Sequence, residues 1–122
     1  MRIFADVNEL AAKIFSINSK QLFEDTCLAV FRHQAENCVV YKQYIGHLGI
    51  VTERVVSYDQ IPYLPIAFFK SHNVVSSTDD PQVIFGSSGT TGFLQSKHLV
   101  TDLKIYERTF SLAFQKFYCG IA

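Results

Sequence analysis

Residues 85–98 read Phe-Gly-Ser-Ser-Gly-Thr-Thr-Gly-Phe-Leu-Gln-Ser-Lys-His, and they hold the groups best suited to gripping an anion. Glycines fall at 86, 89 and 92, with only Ser and Thr between them. Glycine tolerates the positive φ angles that let successive backbone N–H groups converge on one concavity. The hydroxyls of Ser87, Ser88, Thr90 and Thr91 add donors without blocking a ligand. Gly89 and Gly92 shape the backbone, and Lys97 can bring a positive charge. Together these groups form a receptor for a polyphosphate. About ten residues join the two strands predicted on either side, where a hairpin normally uses about 2–5. Loops of this composition also serve as plain flexible connectors. Two standard nucleotide motifs are excluded. The Walker pattern needs a Gly-Lys pair, and no glycine of the segment precedes Lys. The dinucleotide pattern Gly-x-Gly-x-x-Gly fails because position 88 is Ser.

Bulk properties agree with local anion binding. Eleven basic residues balance eleven acidic ones in 122 residues, so no broad positive field exists for nucleic acid or an anionic membrane. Cys27, Cys38 and Cys119 are odd in number and widely spaced, which suits a reducing compartment rather than a disulfide framework. Asp6 and Glu9 stand where a secretory apolar stretch would lie, so no signal peptide is expected. No apolar run approaches the roughly 18 residues of a membrane span. A cytoplasmic protein follows. His33, His47, His72 and His98 lack metal-ligand spacing and read as surface or capping residues. No metal ligand is assigned.

The elements that would carry the loop can be read from periodicity. The first half is helical. Asp6 with Glu9 starts a helix through Leu10, Ala11, Ile14 and Phe15. Asn18-Ser19 starts a second, whose apolar face is Leu22, Phe23, Cys27, Leu28, Val30 and Phe31. A third follows Asn37 and stops at Gly46 or Gly49. Pro62 and Pro65 forbid a regular helix between them, and Ile66 to Phe69 form an apolar anchor. Short strands are predicted at Val74-Val75, Gln82 to Phe85 and Lys97 to Val100. Thr101 then caps a long helix with a stripe of Leu103, Tyr106, Phe110, Ala113, Phe114 and Phe117, expected to be core; Cys119 at its end is expected to pack. The class is α/β, more narrowly an α+β fragment, with residues 1–122 forming a single domain or a fragment of one, divided into a helical front end (1–56) and a phosphate-loop region (57–122).

The order Ser88-Gly89-Thr90-Thr91-Gly92 followed by a Lys resembles the phosphate loop of adenylate-forming enzymes such as acyl-CoA synthetases. The flanks, residues 61–72 and Ser96-Lys97-His98 running on to Thr101-Asp102 and Tyr106, are similar to the LuxE-type acyl-protein synthetase branch, with phenylacetate-CoA ligases as relatives. The likeness covers residues 57–118. In that superfamily the Lys stands three residues after the last Gly, behind a Pro. Here Lys97 is five residues past Gly92 with no Pro, which makes Lys97 a helper rather than a principal contact.

The resemblance implies an ATP- and Mg2+-dependent ligase. It would activate a carboxylic acid, fatty or aromatic, as acyl-AMP and pass the acyl group to a thiol, a protein cysteine or coenzyme A. Ser87, Ser88, Gly89, Thr90, Thr91, Gly92 and Lys97 would hold the ATP phosphates. Relatives are several times longer, so the remaining catalytic parts, the acyl-accepting cysteine included, would lie beyond Ala122; this chain would carry no catalytic residue and be inactive alone. Self-association is left open. The competing reading is a truncated, non-catalytic relative acting as an interaction or nucleotide-binding module.

Overall fold

The computed structural model describes residues 7–87 and 95–118. Among these residues, five helices and one two-stranded antiparallel sheet make a small α+β structure. Three helices come first: α1 (Val7–Phe15), α2 (Lys20–Asn37) and α3 (Val39–His47). Two single 3₁₀ turns follow, Thr52–Arg54 and Tyr58–Gln60, then the one-turn helix α4 (Phe68–Ser71). Strands β1 (Val83–Gly86) and β2 (Lys97–Val100) precede α5 (Leu103–Tyr118).

Local chemistry sets these boundaries. Ser19 is extended, and its hydroxyl accepts from the Leu22 amide at 3.1 Å, satisfying one of the orphan donors that open α2. Cys38, also extended, is the single residue separating α2 from α3. Of the two glycines that could end α3, Gly46 lies inside it and Gly49 ends it, at φ 73°. The Gly49 amide donates to the Gly46 carbonyl and the Ile50 amide to the Ile45 carbonyl, the double closure of a Schellman motif. Ile50 then packs against the cluster that contains Ile45, which adds the apolar contact of that motif. The Asp6 end of the predicted capping box lies outside the described residues.

The core lies between α2, α3 and the irregular chain after α3. Phe31, Ala35, Cys38, Tyr41, Ile45 and Val55 are buried together, with Leu64 and Val74 packed against them. Phe31 and Tyr41 meet edge to face at 6.1 Å. Two polar clamps fix the irregular segment: the Tyr41 hydroxyl donates to the Pro62 carbonyl at 2.6 Å, and Arg32 donates to the Val55 carbonyl at 3.0 Å. The Glu24 carboxylate accepts from the Tyr58 amide at 3.2 Å and holds the second 3₁₀ turn.

Four sequence expectations are corrected. Val74-Val75 is not a strand; Val74 packs on the helical core instead, because burial there satisfies an apolar pair without a strand partner. Leu22 and Phe23 sit on the first turn of α2 at 42% and 45% exposure, and the buried face is Thr26, Ala29, Phe31 and Ala35. Small residues on that face let neighbouring segments approach closely. In the apolar anchor, Phe68 and Phe69 are half-buried while Ile66 is exposed. Finally, α5 has no buried residue: Phe110, Phe114 and Phe117 face solvent rather than a core. Its amphipathic pattern is real, but Phe110, Phe114 and Phe117 stay exposed, while Tyr106 of the same stripe meets Phe85 of β1 at 5.1 Å.

Candidate functional site

The sheet is a hairpin whose register pairs Val83 with Val100, Ile84 with Leu99, Phe85 with His98 and Gly86 with Lys97. Directly paired residues share a face, so Val83, Phe85, His98 and Val100 form one side and Ile84, Leu99 and Lys97 the other. The first side is the packed one. His98 lies against the Phe69 ring at 5.1 Å, which joins α4 to β2, and Phe85 lies against Tyr106 of α5 at 5.1 Å. Lys97 therefore projects from the opposite side. It stands at the loop end of β2, exposed, beside a Gly86 that has no side chain to compete with it.

Residues 87–96 connect the strands, and two hydrogen bonds close their neck. The Ser87 amide donates to the Ser96 carbonyl at 3.0 Å, and the Ser96 amide donates to the Ser87 hydroxyl oxygen at 3.0 Å. Ser96 is buried at 8% exposure, so its satisfied N–H matters energetically. Ser87 spends an acceptor lone pair on the neck while its own O–H remains a donor. At Gly86 a Cβ would stand 3.2 Å from Oε1 of Gln95, so the far strand of the neck crowds this glycine. Of the residues predicted to hold phosphate, the structure thus describes Ser87 and Lys97 and brings both to the loop's neck. Ser88, Gly89, Thr90, Thr91 and Gly92 lie outside the described residues, as does Cys119.

Anchorage continues into α5. Gln82 precedes β1, donates its amide to the Val100 carbonyl at 2.8 Å and accepts from the Leu103 amide through Oε1 at 2.8 Å. Asp102 accepts from the Lys104 amide at 3.0 Å. Asp102 and Gln82, not Thr101, therefore satisfy the first donors of α5, since a residue one position nearer the helix reaches the amides more directly. Sequence reading missed Gln82, Gln95 and Ser96 as supports, because pairing across the neck is a property of register rather than of composition.

The histidines have local contacts. His33 Nδ1 lies 3.3 Å from the side-chain Nδ2 of Asn37, and His72 Nδ1 lies 2.7 Å from the Ser71 hydroxyl. Among the described residues there is no group of three His, Cys, Asp or Glu side chains able to hold a metal ion. Among them, too, no helix is long and apolar enough to cross a membrane.

The family model described as acyl-protein synthetase, LuxE, matches residues 8–120. The chain belongs to the acyl-protein synthetase (LuxE) family. No curated protein and no solved structure matches it. The match extends through the helical front end, which the resemblance at residues 57–118 had not included, so α1, α2 and α3 are part of the acyl-protein synthetase pattern.

Proposed function

We propose that this acyl-protein synthetase chain grips the triphosphate of ATP with its 87–96 loop, as part of an adenylate-forming acid–thiol ligase. The observation that carries the reading is the closed neck. Two hydrogen bonds between Ser87 and Ser96 hold the ends of a Ser/Thr/Gly-rich loop together, with Lys97 at the same end. A loop fixed at its base loses less entropy on wrapping an anion than a free connector would.

In the reaction a carboxylate oxygen attacks the α-phosphorus, the bond to the bridging oxygen breaks, and pyrophosphate leaves with the electron pair. A thiol then displaces AMP from the acyl-adenylate and forms the thioester. Negative charge grows on the pyrophosphate in the first step. Preorganised donors there stabilise the transition state more than the ground state. Ser87, Ser88, Thr90 and Thr91 supply hydroxyls, Gly89 and Gly92 admit the backbone amides, and Lys97 neutralises charge at the edge.

Acid-dependent exchange of pyrophosphate into ATP, measured over acetic, long-chain and aromatic acids, tests the reading. Replacing Thr90 and Thr91 with Val should lower exchange about 100-fold or more, the usual scale for a lost transition-state donor. Exchange by the doubly substituted protein at the parent rate would remove the loop from the mechanism. One observation favours a second reading, an interaction module: Phe110, Phe114 and Phe117 present an exposed aromatic stripe. Absence of exchange with every acid would favour that alternative.

A further inference from the structure

Phe68 and Phe69 are neighbours in the one-turn helix α4, where successive residues point about 100° apart. Their rings therefore reach different elements. Phe68 meets Tyr44 of α3 edge to face, with ring centroids 5.6 Å apart. Phe69 meets His98 of β2 at 5.1 Å, with the ring planes 33° apart. α4 thus bridges the helical front end and the hairpin.

The bridge is fixed to the core on both sides. Leu64 before α4 and Val74 after it pack against the buried cluster, and so does Tyr44. Within the turn, the Phe68 amide donates to the Pro65 carbonyl at 3.0 Å and the His72 amide to the Phe68 carbonyl at 2.8 Å. The His72 ring also lies 5.2 Å from that of Phe68. A helix of four residues has little stability of its own, so these tertiary contacts decide where Phe69 stands. His98 is adjacent to Lys97 and two residues from Ser96, the residue that closes the loop's neck. Side chains alternate along a strand, so a His98 ring held on the packed face turns Lys97 to the other one.

We propose that Phe69 and His98 are positioning residues of the 87–96 loop. Their stack fixes the roll of β2, which keeps the Ser87–Ser96 neck closed and Lys97 on the open side of the hairpin. The imidazole serves here as a ring against a ring, with no proton transferred. The consequence for catalysis rests on the ligase reading, in which this loop holds the triphosphate; the brace itself stands on the contacts alone.

His98→Ala should accelerate amide hydrogen exchange at Ser96 about 2- to 13-fold, the usual worth of an aromatic pair, with the Phe31 amide unchanged. His98→Phe keeps a ring on Phe69 and should restore parent protection. Phe69→Leu should release Ser96 to a similar extent. Both changes remove one contact, so the double variant should match either single variant rather than multiply them. In NMR spectra of Phe69→Leu, the His98 ring protons should lose the ring-current shift that the stack imposes. Phe69 is half-buried. Should its variant lose protection at Phe31, the comparison of His98→Ala with His98→Phe decides alone. In pyrophosphate exchange, His98→Ala should lower kcat by a comparable factor, and His98→Phe should recover it across the pH range. Unchanged Ser96 exchange in His98→Ala, or multiplied effects in a folded double variant, would overturn the assignment. So would a His98→Phe variant that protects Ser96 yet loses pyrophosphate exchange as fully as His98→Ala, because the imidazole would then touch the nucleotide or carry a proton. If the parent shows no pyrophosphate exchange with any acid while Ser96 responds as stated, the ligase reading fails and the brace stands. If pyrophosphate exchange is present and Ser96 does not respond, the brace fails and the ligase reading stands.

Discussion

Ser87 is the residue at which loop architecture and proposed chemistry meet, and its replacement by Ala separates the two. The Ser96 amide would lose its 3.0 Å acceptor, while the reciprocal bond from the Ser87 amide to the Ser96 carbonyl remains. Ser96 is buried, so the orphaned N–H costs about 1–3 kcal/mol locally. Opening of the neck should become easier by the same amount. Amide hydrogen exchange at Ser96 is therefore expected to accelerate about 5- to 160-fold, with little change at helical core amides such as that of Phe31. Ser87→Thr keeps the hydroxyl oxygen and should restore protection. Pyrophosphate exchange in the same variants reads the second role: Ala should reduce it and Thr should recover much of it. If the Ser96 amide exchanges equally fast in parent and Ala variants, the neck does not depend on that hydroxyl and the argument for a fixed loop base fails.

Four further outcomes can be measured. Tyr41→Phe removes the donor to the Pro62 carbonyl and should lower stability to urea by about 1–2 kcal/mol. The same residue gives a pH dependence: burial first, then the neighbouring Tyr44 and Tyr63, pushes the Tyr41 phenol from 10.0 up to about 12. The neutral phenol is favoured by folding, so this contribution is complete below pH 10 and fades as pH rises toward 12; alkaline melts of Tyr41→Phe should be flatter in that window. Gly49→Ala places a Cβ at φ 73° and should cost about 1–2 kcal/mol in a denaturant melt, with Gly46→Ala, inside the helix and with open space at its Cβ, neutral or stabilising. Thr90→Val with Thr91→Val should lower pyrophosphate exchange about 100-fold while leaving the melting temperature of the helical core unchanged.

Parts of the fold were written locally. The Ser19 cap, the stop at Gly49 and the hairpin strands each follow from residues within a few positions of the element they define, because capping, αL conformation and pairing of neighbouring strands are short-range. The loop's composition was equally visible, and so was the likeness of its flanks to acyl-protein synthetases, since both reside in contiguous residues. Burial was another matter. The stripe of α5 has the pattern of a core helix, yet Phe110, Phe114 and Phe117 are exposed, because periodicity shows that a helix has an apolar face without showing what covers it. The same limit made Val74-Val75 look like a strand when Val74 only fills a gap beside the helices. Tertiary structure alone decided that Ser96 closes the neck on Ser87, that Phe69 and Tyr106 brace one side of the hairpin and leave Lys97 on the other, and that Tyr41 reaches across to Pro62. Such contacts join residues far apart in the chain, and their energies depend on register and approach, which composition does not encode.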